Sequence, residues 1–360
     1  MPMTEKAPGP EVRRTLTDRE RQVLEAVVRT YVATAEPAGS RTVSRRFDLG
    51  VSPATVRNTM SDLEDKGYLF HPHTSAGRVP TDLAYRFFVD QIIRPGTPSE
   101  SERAVLAREL DRVGSTAVER LVGRATRALS VLTYELGLAI APRLDDAVLE
   151  KLELIQVSSD KILLVATIQK GLVRTIYVDL PSEVPQDTLV TLTVILNERL
   201  GGLTLAEIRR SLPERLRDSR PDEDPAAEEL LNIFMQAGGE LFDLARIDPA
   251  EIHIGQTSVL ATQPEFTSGE RLKGLLELTE QRDLLAGVLE SRDHRGGLKI
   301  TIGTENDPEE LSDLTLVTSE YRWGGLKGVI GVIGPTRMPY EKVVAIVDYT
   351  SRLVNQMLLS

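Results

Sequence analysis

Ser52-Pro53-Ala54-Thr55-Val56-Arg57-Asn58-Thr59-Met60 is the stretch on which the fold of this chain turns. Serine is a preferred N-cap, proline a preferred first helical residue, and Gly67 a preferred stop, so a helix is predicted between them. Val56, Met60 and Leu63 recur at helical spacing and form its inward face. At about 100° per residue, Ala54, Thr55, Arg57, Asn58 and Ser61 project from the other side. This outer set is small near the N-terminus and mostly hydrogen-bonding. An ordinary solvated face carries Glu and Lys, as Glu64, Asp65 and Lys66 do farther along.

Working outward, Thr17-Asp18-Arg19-Glu20 has capping-box spacing, and Val23, Leu24, Val27, Val28, Tyr31 and Val32 follow on one face, predicting a helix over 17–34. Glu36-Pro37-Ala38-Gly39 breaks it. Ser40 reads as the N-cap of a second helix with Val43 and Phe47 facing inward, and Gly50 can take the left-handed backbone of the turn that follows. Downstream, Tyr68-Leu69-Phe70 reads as a strand. Pro72 and Gly77 punctuate a turn in 71–80, with Arg78 where a wing would touch phosphate or the minor groove. Thr81-Asp82 caps a fourth helix, whose aromatic residues Tyr85, Phe87 and Phe88 are expected in the core together with Phe70. Helix, turn, helix and hairpin is the order of a winged helix-turn-helix, which lays one helix in a major groove. Arg pairs bidentately with guanine, Asn with adenine, and Ala or Thr meets a thymine methyl, so the outer face of 52–66 suits base reading. The competing reading is a winged helix used only for protein interaction or dimerisation, since fold alone does not fix function.

The net charge of −11 divides unevenly. Residues 11–94 hold 13 Lys+Arg against 11 Asp+Glu, and residues 95–360 hold 29 against 42. Within 38–60, Arg41, Arg45, Arg46 and Arg57 face Asp48 alone. Phosphate attraction depends on local density, because charges beyond a Debye length of ~8 Å are mostly screened. The absence of cysteine excludes disulfides, cysteine-ligated zinc and a thiol nucleophile. Four scattered histidines suggest no metal site, and no cofactor is expected. No apolar run approaches the ~20 residues of a membrane span, and the N-terminus lacks the apolar core of a secretory signal. The expectation is a soluble cytoplasmic protein of two or three domains.

The remaining chain reads as mixed α and β. Residues 94–100, with two prolines, form a linker. Helical patterns cover 100–112 and 115–137, and β-branched segments at 148–157, 161–168 and 172–180 form an antiparallel meander. Residues 185–291 read as mostly helical, with long helices at 226–246 and 269–292 and a strand at 251–260 between them. Strands resume at 298–303, 314–322 and 326–334, and a helix over 340–358 follows. Gly328, Gly331 and Gly334 lie within a strand-like run, so close backbone packing explains them better than a phosphate loop. Ser319-Glu320-Tyr321-Arg322-Trp323 reads as a structural edge strand, His253 as a strand side chain and His294 as a loop residue. No combination of nucleophile, base and orienting group is visible, so an enzyme is not expected.

Ser40-Arg41-Thr42, the run 52–60, Leu63-Glu64, His73-Thr74-Ser75-Ala76-Gly77-Arg78-Val79-Pro80-Thr81 and Tyr85-Arg86-Phe87-Phe88-Val89-Asp90 closely resemble the heat-inducible transcription repressor HrcA of bacteria. The wing string 73–81 carries most of the specificity, because no generic physical reason makes it recur. The resemblance implies an α+β multidomain chain: a winged helix-turn-helix at 11–93, then a GAF-like α/β domain at 101–184 and 295–360, interrupted by a mostly helical dimerisation insert at 185–294. It implies a homodimeric repressor that binds an inverted-repeat operator in double-stranded DNA upstream of chaperone genes and releases it on heat shock. A GroEL-type chaperonin is the implied partner, helping the repressor reach its active fold. The DNA-binding residues are then Ser40, Arg41, Ser52, Ala54, Thr55, Arg57, Asn58, Ser61, His73, Thr74, Ser75 and Arg78. The alternative is a winged-helix regulator gated by a metabolite in its GAF-like domain.

Overall fold

Capping chemistry starts the first helix in the computed structural model, which describes residues 16–73, 77–111, 118–142, 147–169, 172–180, 184–217, 225–241, 252–292, 297–323 and 326–359. Thr17 Oγ1 accepts from the Glu20 N–H at 3.3 Å, and the Glu20 carboxylate accepts from the Thr17 N–H at 2.9 Å, starting α1 (Asp18–Thr34). α2 (Ser40–Arg46) is capped by Gly39, one residue before the expected Ser40, and no side chain bonds to its first turn. Ser52 caps α3 (Pro53–Asp65) as expected, accepting from the Thr55 N–H at 3.2 Å. Gly50 and Gly67, at φ 63° and 83°, supply the left-handed turns before and after α3. A two-stranded hairpin follows, with β1 (Leu69–Phe70) antiparallel to β2 (Val79–Pro80), then α4 (Asp82–Phe87), which runs into a π-helical turn at 88–92. Tyr85 and Phe88 are buried as expected, but Phe70 is 44% exposed and stays outside the core.

After α5 (Glu100–Asp111) and α6 (Val118–Thr133), Tyr134 turns the chain at φ 61° into β3 (Leu136–Ile140). The predicted helix over 115–137 thus ends early. β3 is buried along its whole length, and such a run lacks the alternation that marks a strand. A meander of β4 (Leu149–Ser158), β5 (Lys161–Ile168) and β6 (Leu172–Asp179) precedes α7 (Gln186–Leu200), α8 (Leu205–Arg217) and α9 (Pro225–Leu241). Then come β7 (Ile252–Ile254), α10 (Ser258–Ala261), α11 (Gly269–Glu280), α12 (Arg282–Glu290), β8 (Leu298–Ile302), β9 (Leu314–Trp323), β10 (Leu326–Pro335) and α13 (Tyr340–Leu359). The single helix expected over 269–292 is broken at Gln281, whose ψ of 63° is not helical. The expected strand over 251–260 is cut to β7 by α10. His294 and the end of the helix expected over 226–246 lie outside the described residues.

The sheet pairing changes the expected grouping. β7, β3, β10, β9 and β8 form one antiparallel sheet in that order, and β4–β6 form a separate three-stranded sheet. The meander therefore does not share a sheet with 298–334. Its inner face (Leu152, Leu164, Ala166) packs on Leu189, Leu192, Leu196 and Leu200 of α7 and on α8 and α9, making a second core that also takes in Leu326 and Trp323 from β10 and β9. Asn197 seals the open edge of β4: its side chain donates to Leu152 O and accepts from Leu152 N, both at 2.8 Å. α10–α12, expected in the insert, instead cover one face of the five-stranded sheet around Leu138, Ile140, Leu316 and Ile333. The other face (Ala139, Val317, Tyr321, Ile330) meets α6 and α13, and this core runs on without a break into α1–α4.

β9 is an interior strand, flanked by β10 and β8, not the edge expected from its sequence. The glycines of β10 each admit a close neighbour: the Tyr321 ring at Gly328, the backbone of Val317 at Gly331 and the Glu135 carboxylate at Gly334. A methyl group on residue 331 would lie 2.2 Å from Val317 O. Gly331→Ala should therefore lower stability by about 1–3 kcal/mol, read as an earlier denaturant midpoint. An unchanged midpoint would mean that β10 and β9 part easily.

Candidate nucleic-acid interface

α3 presents the outer face that its spacing requires. Val56, Thr59, Met60 and Leu63 are buried, and Ser52, Ala54, Arg57, Asn58 and Ser61 are exposed. Thr55 is half-buried, and its hydroxyl lies 3.0 Å from that of Ser52, so these two serve the cap. Arg41 stands exposed on α2 beside the half-buried Ser40. Arg41 and Arg57 form no ion pair with any described residue, and neither do Arg45 and Arg46 in the last turn of α2. The latter two were counted in the local charge but not singled out; their place between two helices was the available signal.

The hairpin divides the other expected residues. His73 is exposed, and Thr74 and Ser75 lie outside the described residues. Arg78 turns inward: its side chain is 13% exposed, and its guanidinium meets Glu64 Oε2 at 2.7 Å. Its backbone exchanges hydrogen bonds with Ala38 at 2.8 and 3.0 Å, tying the hairpin base to the loop before α2. Gly77 makes that approach possible, since a Cβ there would sit 2.5 Å from the Ala38 carbonyl. Arg78 is thus brought to the root of the hairpin and not to the exposed face of α3.

Glu64 is the residue that sequence reading passed over. Its second oxygen lies 2.8 Å from His71 Nδ1, so one carboxylate on α3 holds both sides of the hairpin. Lys66 is likewise engaged, 2.7 Å from Glu20 on α1. The stretch 64–66, read as a solvated face, contains the anchors that fix α3 against its neighbours. Helical periodicity placed these side chains outward correctly. It could not show that the hairpin folds back over them.

Other arginines fasten this unit to the rest of the chain. Arg29 on α1 grips Glu341 of α13 at 2.7 and 3.0 Å and lies over the Phe88 ring. Those hydrogen bonds foremost hold its guanidinium above the ordinary arginine range. Arg86 reaches Glu305 at 2.7 Å and the Ile300 carbonyl at 2.8 Å; burial alone would lower its pKa, but Glu305 and Asp90 together outweigh it. Asp82 accepts from the Thr304 N–H at 3.0 Å. Arg337 donates to Val32 O at 2.8 Å and to Glu265 at 2.9 Å. The exposed helical face is set on the body through these contacts. Among the described residues no helix is long and apolar enough to cross a membrane, and no acid or histidine cluster could hold a metal.

The sequence has relatives. The model of the HrcA protein C-terminal domain matches residues 119–344. The heat-inducible transcription repressor HrcA of Chlorobium phaeovibrioides is 37% identical over 348 residues, covering 93% of this chain and 96% of its own. That of Geobacter sulfurreducens is 35% identical over 345 residues, covering 95% and 98%. A crystal structure described only as a hypothetical protein shares the fold, with a TM-score of 0.59 and 22% identity over 96% of this chain and 99% of that one.

The Glu20–Lys66 pair predicts a pH dependence. Burial works to raise the Glu20 carboxyl, but hydrogen bonds from Lys66 and Thr17 outweigh it and hold its pKa below the ordinary value. A lowered folded value means a contribution present in full above the unfolded pKa and lost as pH falls through the folded one. Glu20→Gln should melt earlier than the parent at neutral pH, and the two Tm curves should converge in acid. Parallel curves would deny the pair this role.

Proposed function

Since the chain belongs to the HrcA family of heat-inducible transcription repressors, we propose that it represses by laying α3 in a major groove, as the reading helix of a winged helix-turn-helix. The chain is a transcription repressor, not an enzyme. One observation carries the reading: the arginines facing the body are held by carboxylates, whereas Arg41, Arg45, Arg46 and Arg57 stand exposed without an ion pair to a described residue. Arg57 and Asn58, exposed one after the other on α3, are the base readers, with Ala54 and Ser61 beside them. Ser52 and Thr55 cap the helix and direct its first N–H groups at phosphate. Ser40, Arg41, Arg45 and Arg46 follow the backbone, and His73, Thr74 and Ser75 form the hairpin side of the interface. Arg78 works through Glu64, holding the hairpin in place.

The five-stranded sheet takes its strands in the chain order second, first, fifth, fourth, third, with β4–β6 and α7–α9 inserted between β3 and β7. That interruption supports the GAF-like reading, with the insert moved forward from 185–294. The outer face of the meander supports a homodimer. Ile155 and Tyr177 flank Leu163 across three strands and are 48% and 66% exposed, with Val157 and Val173 also open. One face of an antiparallel sheet is usually polar, so an apolar row there favours a second copy. Two copies of α3 then match an inverted-repeat operator, with half-site spacing set by the dimer. Control by a GroEL-type chaperonin rests on the family resemblance alone. Gel shifts on chaperonin-gene upstream DNA, with and without chaperonin, address it directly.

On an operator fragment, Arg57→Ala and Asn58→Ala should each cost about 1–3 kcal/mol and relax base preference. Arg41→Ala should weaken all sequences alike and flatten the salt dependence by about one unit of slope. Equal weakening on every sequence for Arg57 would reassign it to the backbone. For the dimer, Ile155→Glu with Tyr177→Glu should yield monomers in sedimentation equilibrium and weaken operator binding. A dimer that persists would place the interface elsewhere.

A further inference from the structure

A cleft of about 810 Å³ separates the N-terminal unit from the body. Tyr31, Phe70, Pro80 and Tyr85 line one wall. Phe266, with Leu275 and Leu278 of α11, lines the other, and Pro335–Arg337 closes the end. Its size suits a small molecule, and its walls come from two units that the arginine contacts hold side by side.

Two independent observations mark it as more than a packing gap. The first is the Tyr85 hydroxyl. Tyr85 is 2% exposed and lines the cleft, yet its hydroxyl has no hydrogen-bond partner among the described residues. Tyr340, whose ring lies 5.8 Å away, donates its own hydroxyl proton to Thr336 O at 2.7 Å. A buried hydroxyl without a partner is costly, and native structures keep few of them. Burial also drives the Tyr85 pKa well up, so the group is a neutral donor and acceptor.

The second is the balance of charge. Arg337 neutralises Glu265, and Lys273 lies 3.3 Å from Glu277. Asp82, Glu310 and Asp313 also line the cleft and face no cation among the described residues; Asp82 accepts only from Thr304. Arg271 alone opposes them. Three carboxylates over low-dielectric walls focus a negative potential that attracts cations and repels anions. The aromatic faces of Tyr31, Phe70, Tyr85 and Phe266 act in the same direction, since an ammonium is drawn to the ring quadrupole.

We propose that this cleft binds a small organic cation, a primary amine with an aromatic or alkyl body. The ammonium donates to the Tyr85 hydroxyl oxygen in the field of Asp82, Glu310 and Asp313, and the apolar body covers Leu275 and Leu278. An occupant touches the hairpin and α4 on one side and α11 on the other, so it stabilises their docked arrangement by mass action. The site lies between the two units and not within the five-stranded sheet, and it does not depend on the repressor reading.

The test uses the purified full-length chain with phenethylamine and hexylamine, against 3-phenylpropionate and hexanoate as matched anions, by thermal shift and titration calorimetry. Both amines should raise Tm saturably, and the anions should not. Glu310→Gln with Asp313→Asn, both exposed positions, should weaken amine binding by about tenfold, the equivalent of one charge-assisted contact. Tyr85→Phe should keep or raise the ligand-free Tm by removing an unpartnered hydroxyl, and should weaken the amines. Equal stabilisation by the anions, no response to either amine at millimolar concentration, or amine binding unchanged in the double acid variant would each overturn the proposal.

Discussion

Arg337 is the contact on which the arrangement of this molecule depends. Its guanidinium joins the Glu265 carboxylate to the Val32 carbonyl, so one side chain links the loop after β10, the turn before α11 and the C-terminal half of α1. Arg29–Glu341 and Arg86–Glu305 repeat the device on either side. Arg337–Val32, Arg29–Glu341 and Arg86–Glu305 each join residues more than two hundred positions apart, so none forms until the chain has returned on itself. Partial burial makes these pairs more than surface ornament, because removing one member would strand the other's charge in a poorly solvated place. The apolar core beneath them is continuous from α1–α4 into the five-stranded sheet, and the arginines fix the orientation that such a core alone leaves loose.

The same residue type therefore does two jobs in one small unit. Arginine supplies both the contacts that hold the unit down and the exposed charge that makes it useful. What separates the two groups is the presence of a carboxylate opposite. Arg78 shows how a single acid decides the matter: with Glu64 beside it, a basic residue of the hairpin becomes part of the scaffold. The acidic bulk of the chain is consistent with this division, since part of it neutralises the inward arginines and leaves those on α2 and α3 alone.

Local rules were legible wherever the chemistry was local. The cap at Ser52, the capping box at Thr17, the turn glycines and the outward face of α3 all follow from residues within a few positions of each other. Failures came where distant segments decide. Leu136–Ile140 is apolar throughout and continues a helical pattern, so nothing nearby announces that it is a strand between β7 and β10. Without that strand, the meander and the strands over 298–334 read as one domain interrupted at 185–294, whereas they lie in separate sheets. Phe70 was expected inside because aromatic residues cluster there, but the hairpin faces it into a cleft between units. On α3, the exposed residues of the outer face could be named from spacing, whereas Glu64 and the inward turn of Arg78 required the hairpin's actual path. The family resemblance supplied the function, not these contacts.

β3 and β7 pair directly, with Ile140 opposite Ile252, although the whole meander and three helices lie between them in sequence. The inserted unit thus leaves and rejoins the sheet at points only about 5 Å apart. A unit attached by two adjacent strands cannot drift as a bead on a single tether does. Its core also takes in Leu326 of β10 and Trp323 of β9, a third point at which it is fastened to the body. A partner gripping that unit would therefore apply its load to β7, at the edge of the sheet, and to β3 beside it, and so to the sheet on which the N-terminal helices rest.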